Sequence, residues 1–223
     1  MPDVVSTTTK IQVTPYIAHM PFIESMPKFV FTATSGVLLS GGLLLAGPGT
    51  AAADESNEDN DGCMSVDMDL NGADGDFSEE AEEAADDLND DLTQDMAGNM
   101  DARTATCAKE VVEASKDRDM DQEAAAIAMS TVIVETHLNN YNGGDRDSVG
   151  LYQQRDHYGS PDDRLDAGWA TDAFFDELEV VFPDDSWKDE AGGTVAQDVQ
   201  RSAYPDRYHH QMDDAETIVE YLW

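Results

Sequence analysis

The chain has 223 residues and sets 12 Lys+Arg against 48 Asp+Glu, a formal net charge of −36. A field of that sign and size argues against direct recognition of nucleic-acid phosphates or of an anionic membrane surface. Hydrophobic residues make up 40% of the chain, enough to pack one domain of ordinary size with appendages.

Residues 1–25 have no periodicity and read as an extension upstream of a second start at Met26. From Met26 the text has the parts of a secretory signal: Lys28 as charged leader, an apolar run from Phe29 to Ala46, a Gly47-Pro48-Gly49 break and small residues at Ala51-Ala52-Ala53. Cleavage before Asp54 is expected. The run is also near the length of a bilayer span, so an uncleaved anchor is the alternative. A cleaved chain is expected outside the cell or in the cell wall, off the membrane, as a monomer.

Asp54 to Asp101 contains no Lys or Arg. Self-repulsion at this density weakens a compact state at low salt and fades as salt screens it. The composition therefore predicts a salt-adapted protein, or a disordered segment holding most of the acid, and the two are compatible. Ser78 is a good N-cap for a helix to Leu88, but its apolar face is mostly alanine, so residues 54–103 read as an acidic stalk, partly helical and weakly attached. Within it Asp67, Asp69 and Asn71, followed by Gly72, match the opening of a calcium loop, yet the twelfth position is Ser78 where a bidentate Glu belongs. A weak calcium site and a chance match in acid-rich text both remain open; no other cofactor is expected. Cys63 and Cys107 are too far apart for a redox pair and too few for zinc. In an exported chain they read as one disulfide tying the acidic segment to the C-terminal domain, with two free thiols as the alternative.

A helix is predicted from Thr104 to Arg118, and a second after a cap at Asp119 or Asp121. The second, ending Ile127-Ala128-Met129-Ser130-Thr131-Val132-Ile133-Val134-Glu135, is apolar nearly all round and belongs at the centre of a domain. Burying a carboxylate costs several kcal/mol unless it is paired or protonated, so Glu135 is either a last-turn residue reaching solvent or an acid with a task.

From Glu135 onward the chain resembles the soluble lytic transglycosylases, which carry E-S-x-F-x-P, a short loop and then G-L-M-Q. Here Thr136 stands for the Ser, Leu138 for the Phe, and Gly150-Leu151-Tyr152-Gln153 for G-L-M-Q at the same distance. Gly144-Asp145-Arg146-Asp147-Ser148-Val149-Gly150-Leu151-Tyr152-Gln153-Gln154-Arg155 and the later Gln200-Arg201-Ser202-Ala203-Tyr204-Pro205 are similar to a secreted actinobacterial family with a lysozyme-like domain. The resemblance covers about residues 104–223. It implies a mainly α-helical, lysozyme-like domain of the goose-type lysozyme and lytic transglycosylase kind, with Glu135 as proton donor and Gly150, Leu151, Tyr152, Gln153 and Tyr204 at the sugar. Asn140 in place of Pro and the loss of most of A-Y-N-A-G around Tyr204 depart from the transglycosylase pattern.

A glycosidic bond needs an acid on its leaving oxygen, and a hydrolase usually needs a second carboxylate. Asp145 and Asp147 are the nearest candidates, against a plain reading as turn residues with Arg146 as salt partner. A transglycosylase needs no second carboxylate. Downstream, Ala167–Val181 reads as a helix with Trp169, Phe174, Leu178 and Val181 on one face, ended by Pro183; Gly193–Ser202 and Asp213–Trp223 read as two more. His209 and His210 lack a third ligand and read as surface. The expected function is cleavage of the β-1,4 glycan of peptidoglycan, with glycan strands as partner. The alternative is a non-catalytic cell-wall glycan-binding protein with a degenerate cleft.

Overall fold

Helix α3, Gln122–Thr136, forms the axis around which the other elements pack. Asp121 caps its start by accepting the Ala124 N–H, and every residue from Ala124 to Val134 is buried. A helix that is apolar on all sides must be surrounded. In this computed structural model, which describes residues 62–69, 75–202, 204 and 206–223, α3 is packed by α7 (Asp206–Leu222), α6 (Gly192–Gln200), α2 (Ala102–Asp117) and α5 (Ala167–Val181). Fully burying side chains such as Ile127, Met129 and Ile133 stabilises by about 1.5–3 kcal/mol each. The signal segment expected at 26–53 and Asn71 of the calcium candidate lie outside the described residues.

The described residues are mainly helical. Their sheet is small: β1 (Ser65–Val66) pairs in parallel with β2 (Asn140–Tyr141), Ser65 opposite Asn140. The loop from Asn140 to Arg155 adds one isolated bridge between Val149 and Gln154, and α4 (Pro161–Leu165) follows. Helix α5 has the predicted bounds, and its buried face is Ala170, Phe174, Phe175 and Leu178, with Phe175 in place of the expected Val181. The chain leaves α5 at Phe182 and turns through a short 3₁₀ stretch from Pro183 to Asp189.

The acidic segment departs from its expected role as a weakly attached stalk. Helix α1 (Glu79–Asp91), capped by the Ser78 hydroxyl, buries Ala81, Ala84, Ala85 and Leu88 and packs on α2. Alanines on that face let the two backbones approach closely. Leu92, Met96 and Met100 then enter the common core. The run after α1 is also captured from the far end of the chain. The buried Asp214 carboxylate of α7 accepts the N–H groups of Thr93, Gln94 and Met96. Acid here is concentrated on the outward face, while the inward face is as apolar as that of any core helix. The described residues of 54–103 thus belong to the same compact unit as 104–223.

Cys63 and Cys107 form a disulfide that fastens the residues before β1 to α2. The Glu110 carboxylate accepts the Cys63 N–H, and the buried Asn140 amide donates to the Cys63 carbonyl. Closing 44 residues of chain restricts the unfolded state by about 4 kcal/mol in the chain-entropy view. Replacing both cysteines by serine is expected to lower unfolding stability by about that amount, as read from chemical denaturation. A change below about 1 kcal/mol would show that the link adds nothing to the fold.

Candidate functional site

The Gly-rich loop and the end of α3 are held together by a single hydroxyl. Thr136 Oγ1, one residue after Glu135, donates at 3.0 Å toward the carbonyls of Val132 and Leu151. The helix then stops abruptly. His137 caps it in the left-handed conformation at φ 51°, and the buried Leu138 comes next at φ 61°. Two consecutive non-glycine residues at positive φ are costly and persist only where packing fixes them. The turn leaves Glu135 half-buried at the edge of an open cleft of about 370 Å³, bounded also by Tyr152, Gln153, Asp145, Arg155, Gln200 and Arg201. That volume lies within the range of small-ligand sites.

Burial raises the Glu135 pKa above that of a free carboxyl; the Tyr208 hydrogen bond and the Arg207 charge pull the other way. Tyr208 Oη donates to Glu135 Oε1 at 2.6 Å. Tyr208 is itself fully buried on α7, and its own pKa is pushed far up by burial and by the adjacent carboxylate. Tyr208 is the residue that reading the sequence misses. The expected Tyr204 instead stands 68% exposed in the turn before α7 and makes no hydrogen bond to Glu135. Helix α7 starts at Asp206, seven residues before the predicted Asp213, and this earlier start places Tyr208 on its inward face. Tyr208→Phe removes a donor that favours the carboxylate form. The Glu135 pKa is expected to rise further, which an NMR titration of its side-chain carbon would read, and stability near neutrality to fall by about 1 kcal/mol. An unmoved titration would mean that the hydroxyl has no hold on the acid.

The other expected site residues separate into walls and supports. Leu151 is fully buried in the core and is not exposed to the cleft, which corrects its expected place at the sugar. Tyr152 closes the floor, but its hydroxyl is committed to Thr171 at 3.0 Å and its ring stacks on Phe174. Gln153 borders the cleft at φ 49°, its amide donating to the carbonyls of Gly143 and Gly150. Gly150 works through its backbone: φ is +82° and a Cβ there would sit 2.0 Å from the Arg164 carbonyl oxygen. Asp147 accepts the Asp156 N–H and is engaged by Arg155, which together hold its pKa below the usual range. Asp145 remains 89% exposed at the rim, with Arg146 at 3.8 Å.

A larger cavity of about 610 Å³ lies between α1, α2 and α7, bordered by Glu80, Glu83, Glu110, Glu113 and Lys109. Its groups have structural duties: Lys109 pairs with Glu80, and Glu110 receives the Cys63 N–H. Its size therefore carries less weight than the chemistry of the smaller cleft. Among the described residues no group of three or more His, Cys, Asp or Glu is arranged to hold a metal ion, and no helix is long and apolar enough to cross a membrane. His209 and His210 are both exposed, the first facing the Thr194 hydroxyl. Asp67 accepts from the Asn142 amide. No family model and no curated protein matches this chain.

Proposed function

We propose that this chain is a secreted, lysozyme-like enzyme that cleaves the β-1,4 glycan of peptidoglycan as a lytic transglycosylase, with Glu135 acting as acid and then as base. The observation that carries this reading is one half-buried carboxyl, its pKa raised by desolvation, at the edge of an open cleft and bonded to a buried tyrosine. A raised carboxyl pKa suits a proton donor working near neutrality.

In the proposed reaction Glu135 protonates the glycosidic oxygen, and the C1–O bond breaks with the electron pair leaving on the departing sugar. The resulting carboxylate, held by Tyr208 Oη, takes the proton from a hydroxyl of the same sugar as that oxygen attacks C1. The ring closes as an anhydro sugar and Glu135 is again protonated. The transglycosylase form is preferred over a hydrolase because the second carboxylate is poorly provided for. Asp147 is held by Arg155 and a backbone N–H, and Asp145 is solvent-exposed beside Arg146. A disulfide is consistent with work outside the cell.

Mass spectrometry of the products from purified peptidoglycan tests this, wild type beside Glu135→Gln. Anhydro-muropeptides from wild type alone are expected. Reducing-end products would replace the transglycosylase by a hydrolase and turn attention to Asp145. No products, with the protein still sedimenting with the wall, would leave a non-catalytic glycan-binding protein.

A further inference from the structure

Most tyrosines near the core have duties that can be named. Tyr152 and Tyr208 belong to the core, and their hydroxyls are committed to Thr171 and Glu135. The hydroxyl of the more exposed Tyr221 donates to Asp87. Tyr158 has no such duty. It is half-buried, stands outside the cluster of core side chains, and its hydroxyl has no hydrogen-bond partner among the described residues. It borders the same cleft as Glu135, and its ring centroid lies 4.6 Å from that of the exposed His157.

The turn that carries Tyr158 is pinned on both sides. Ahead of it, the Asp147 carboxylate engages Arg155 and accepts the Asp156 N–H at 2.8 Å, and the Tyr158 N–H donates to the Arg155 carbonyl at 3.0 Å. Behind it, Gly159 leaves the space that Trp169 fills: a Cβ there would lie 2.6 Å from Trp169 Cη2. Ser160 then caps α4 through a reciprocal pair of hydrogen bonds with Asp163. An aromatic held in this way, yet not used in the core, is a preorganised surface, and a ligand that meets it need not order the turn first. Asp147, poorly placed as a second catalytic carboxylate, has its use in fixing that turn.

We propose that Tyr158, flanked by His157, is the platform on which one pyranose ring of the glycan strand stacks as it crosses the cleft. The proposal rests on the glycan-cleaving reading of the cleft. In a β-1,4 strand with equatorial substituents the faces of each sugar ring present C–H bonds, and these weakly positive hydrogens suit the negative face of an aromatic ring. The phenol also keeps a polar tip for the hydroxyls of the same sugar. An uncharged contact is well matched to a chain of net charge −36, because neither repulsion of an acidic strand nor its screening by salt alters the stacking itself.

The test titrates short uncross-linked glycan strands from purified peptidoglycan into the protein carrying Glu135→Gln, which prevents turnover, with Tyr158 intact or replaced by Leu or Phe. Thermal melts first establish equal folding. Tyr158→Leu keeps apolar bulk but no ring and is expected to weaken binding about tenfold, while Tyr158→Phe stays within about threefold of the parent. In the parent, intermolecular NOEs are expected between the Tyr158 ring protons and sugar C–H protons; this signal needs no substitution at Tyr158 and decides the matter even where Tyr158→Leu loosens the turn. Strands that bind without those NOEs, or that bind Tyr158→Leu as tightly as the parent, overturn the platform and leave the glycan-cleaving reading in place. An equal loss in Tyr158→Phe and Tyr158→Leu also overturns it, because the contact would then belong to the hydroxyl alone. Neither binding by the parent nor cleavage by wild type removes the glycan-cleaving reading, and this proposal with it.

Discussion

Glu135→Gln is expected to abolish glycan cleavage and at the same time to make the protein more stable. General acid catalysis contributes roughly 10²–10⁴-fold, so kcat is expected to fall by about 10³-fold. Glutamine keeps an oxygen for Tyr208 Oη to donate to, so the fold should not be disturbed. The stability effect arises from the direction of the pKa shift. Desolvation makes the folded protein hold the Glu135 proton more tightly than the unfolded chain does. Stability from this group is therefore complete below the ordinary carboxylate range, and is lost as pH climbs from there to the raised folded-state value. A neutral amide avoids that loss. Near pH 7 the variant is expected to gain about 1 kcal/mol, as substitutions that relieve a functional site often do. The gain should shrink toward zero in acid. Thermal melts across pH read it directly, and a variant less stable than wild type at every pH would contradict a desolvated carboxyl.

Gly150→Ala is expected to be the most damaging small substitution in the chain. The glycine holds φ +82°, and an added Cβ would meet the Arg164 carbonyl oxygen at 2.0 Å. That oxygen is backbone in α4 and has little room to move. Arg164 is itself clamped to the same loop, donating to the carbonyls of Asp147 and Gln154. Left-handed backbone strain and the forced displacement together should cost about 4 kcal/mol. For a chain of this size that is roughly a 10 °C fall in Tm. Gly98 supplies the control: its φ is also positive, at +70°, but nothing lies within 4 Å of its added Cβ. Gly98→Ala should therefore show the backbone strain alone, about 1–2 kcal/mol. Equal melting of the two variants would mean that the loop and α4 separate easily.

The parts of the fold that are legible in the sequence are those where one pattern dominates. Helix α3 stands out because it has no polar side, and α5 because its apolar residues recur at helical spacing up to a proline. The acidic segment reads as a stalk because a surplus of acid hides a stripe of alanines, and because its anchor, Asp214, lies more than 110 residues away. The start of α7 is obscured by Arg207-Tyr208-His209-His210-Gln211, which reads as polar surface. Yet Tyr208, Gln211, Ala215, Ile218 and Val219 recur at helical spacing along one face. A scan of that spacing finds Tyr208. No pattern within α7 alone matches it to Glu135, since that pairing is set by how α7 crosses α3.

That crossing also decides when during folding the site comes into being. The hydrogen bond from Tyr208 to Glu135 joins positions 73 residues apart, and α7 also supplies the carboxylate that seizes the run after α1. Contacts so distant in sequence require the intervening chain to be closed into a loop before they return any stabilisation. Helix α7 also emerges after every other described element during synthesis. Until it docks, α3 lacks its principal neighbour and Glu135 lacks both its burial and its partner. Glu135 thus gains its burial and its hydrogen-bond partner only when α7 docks on α3.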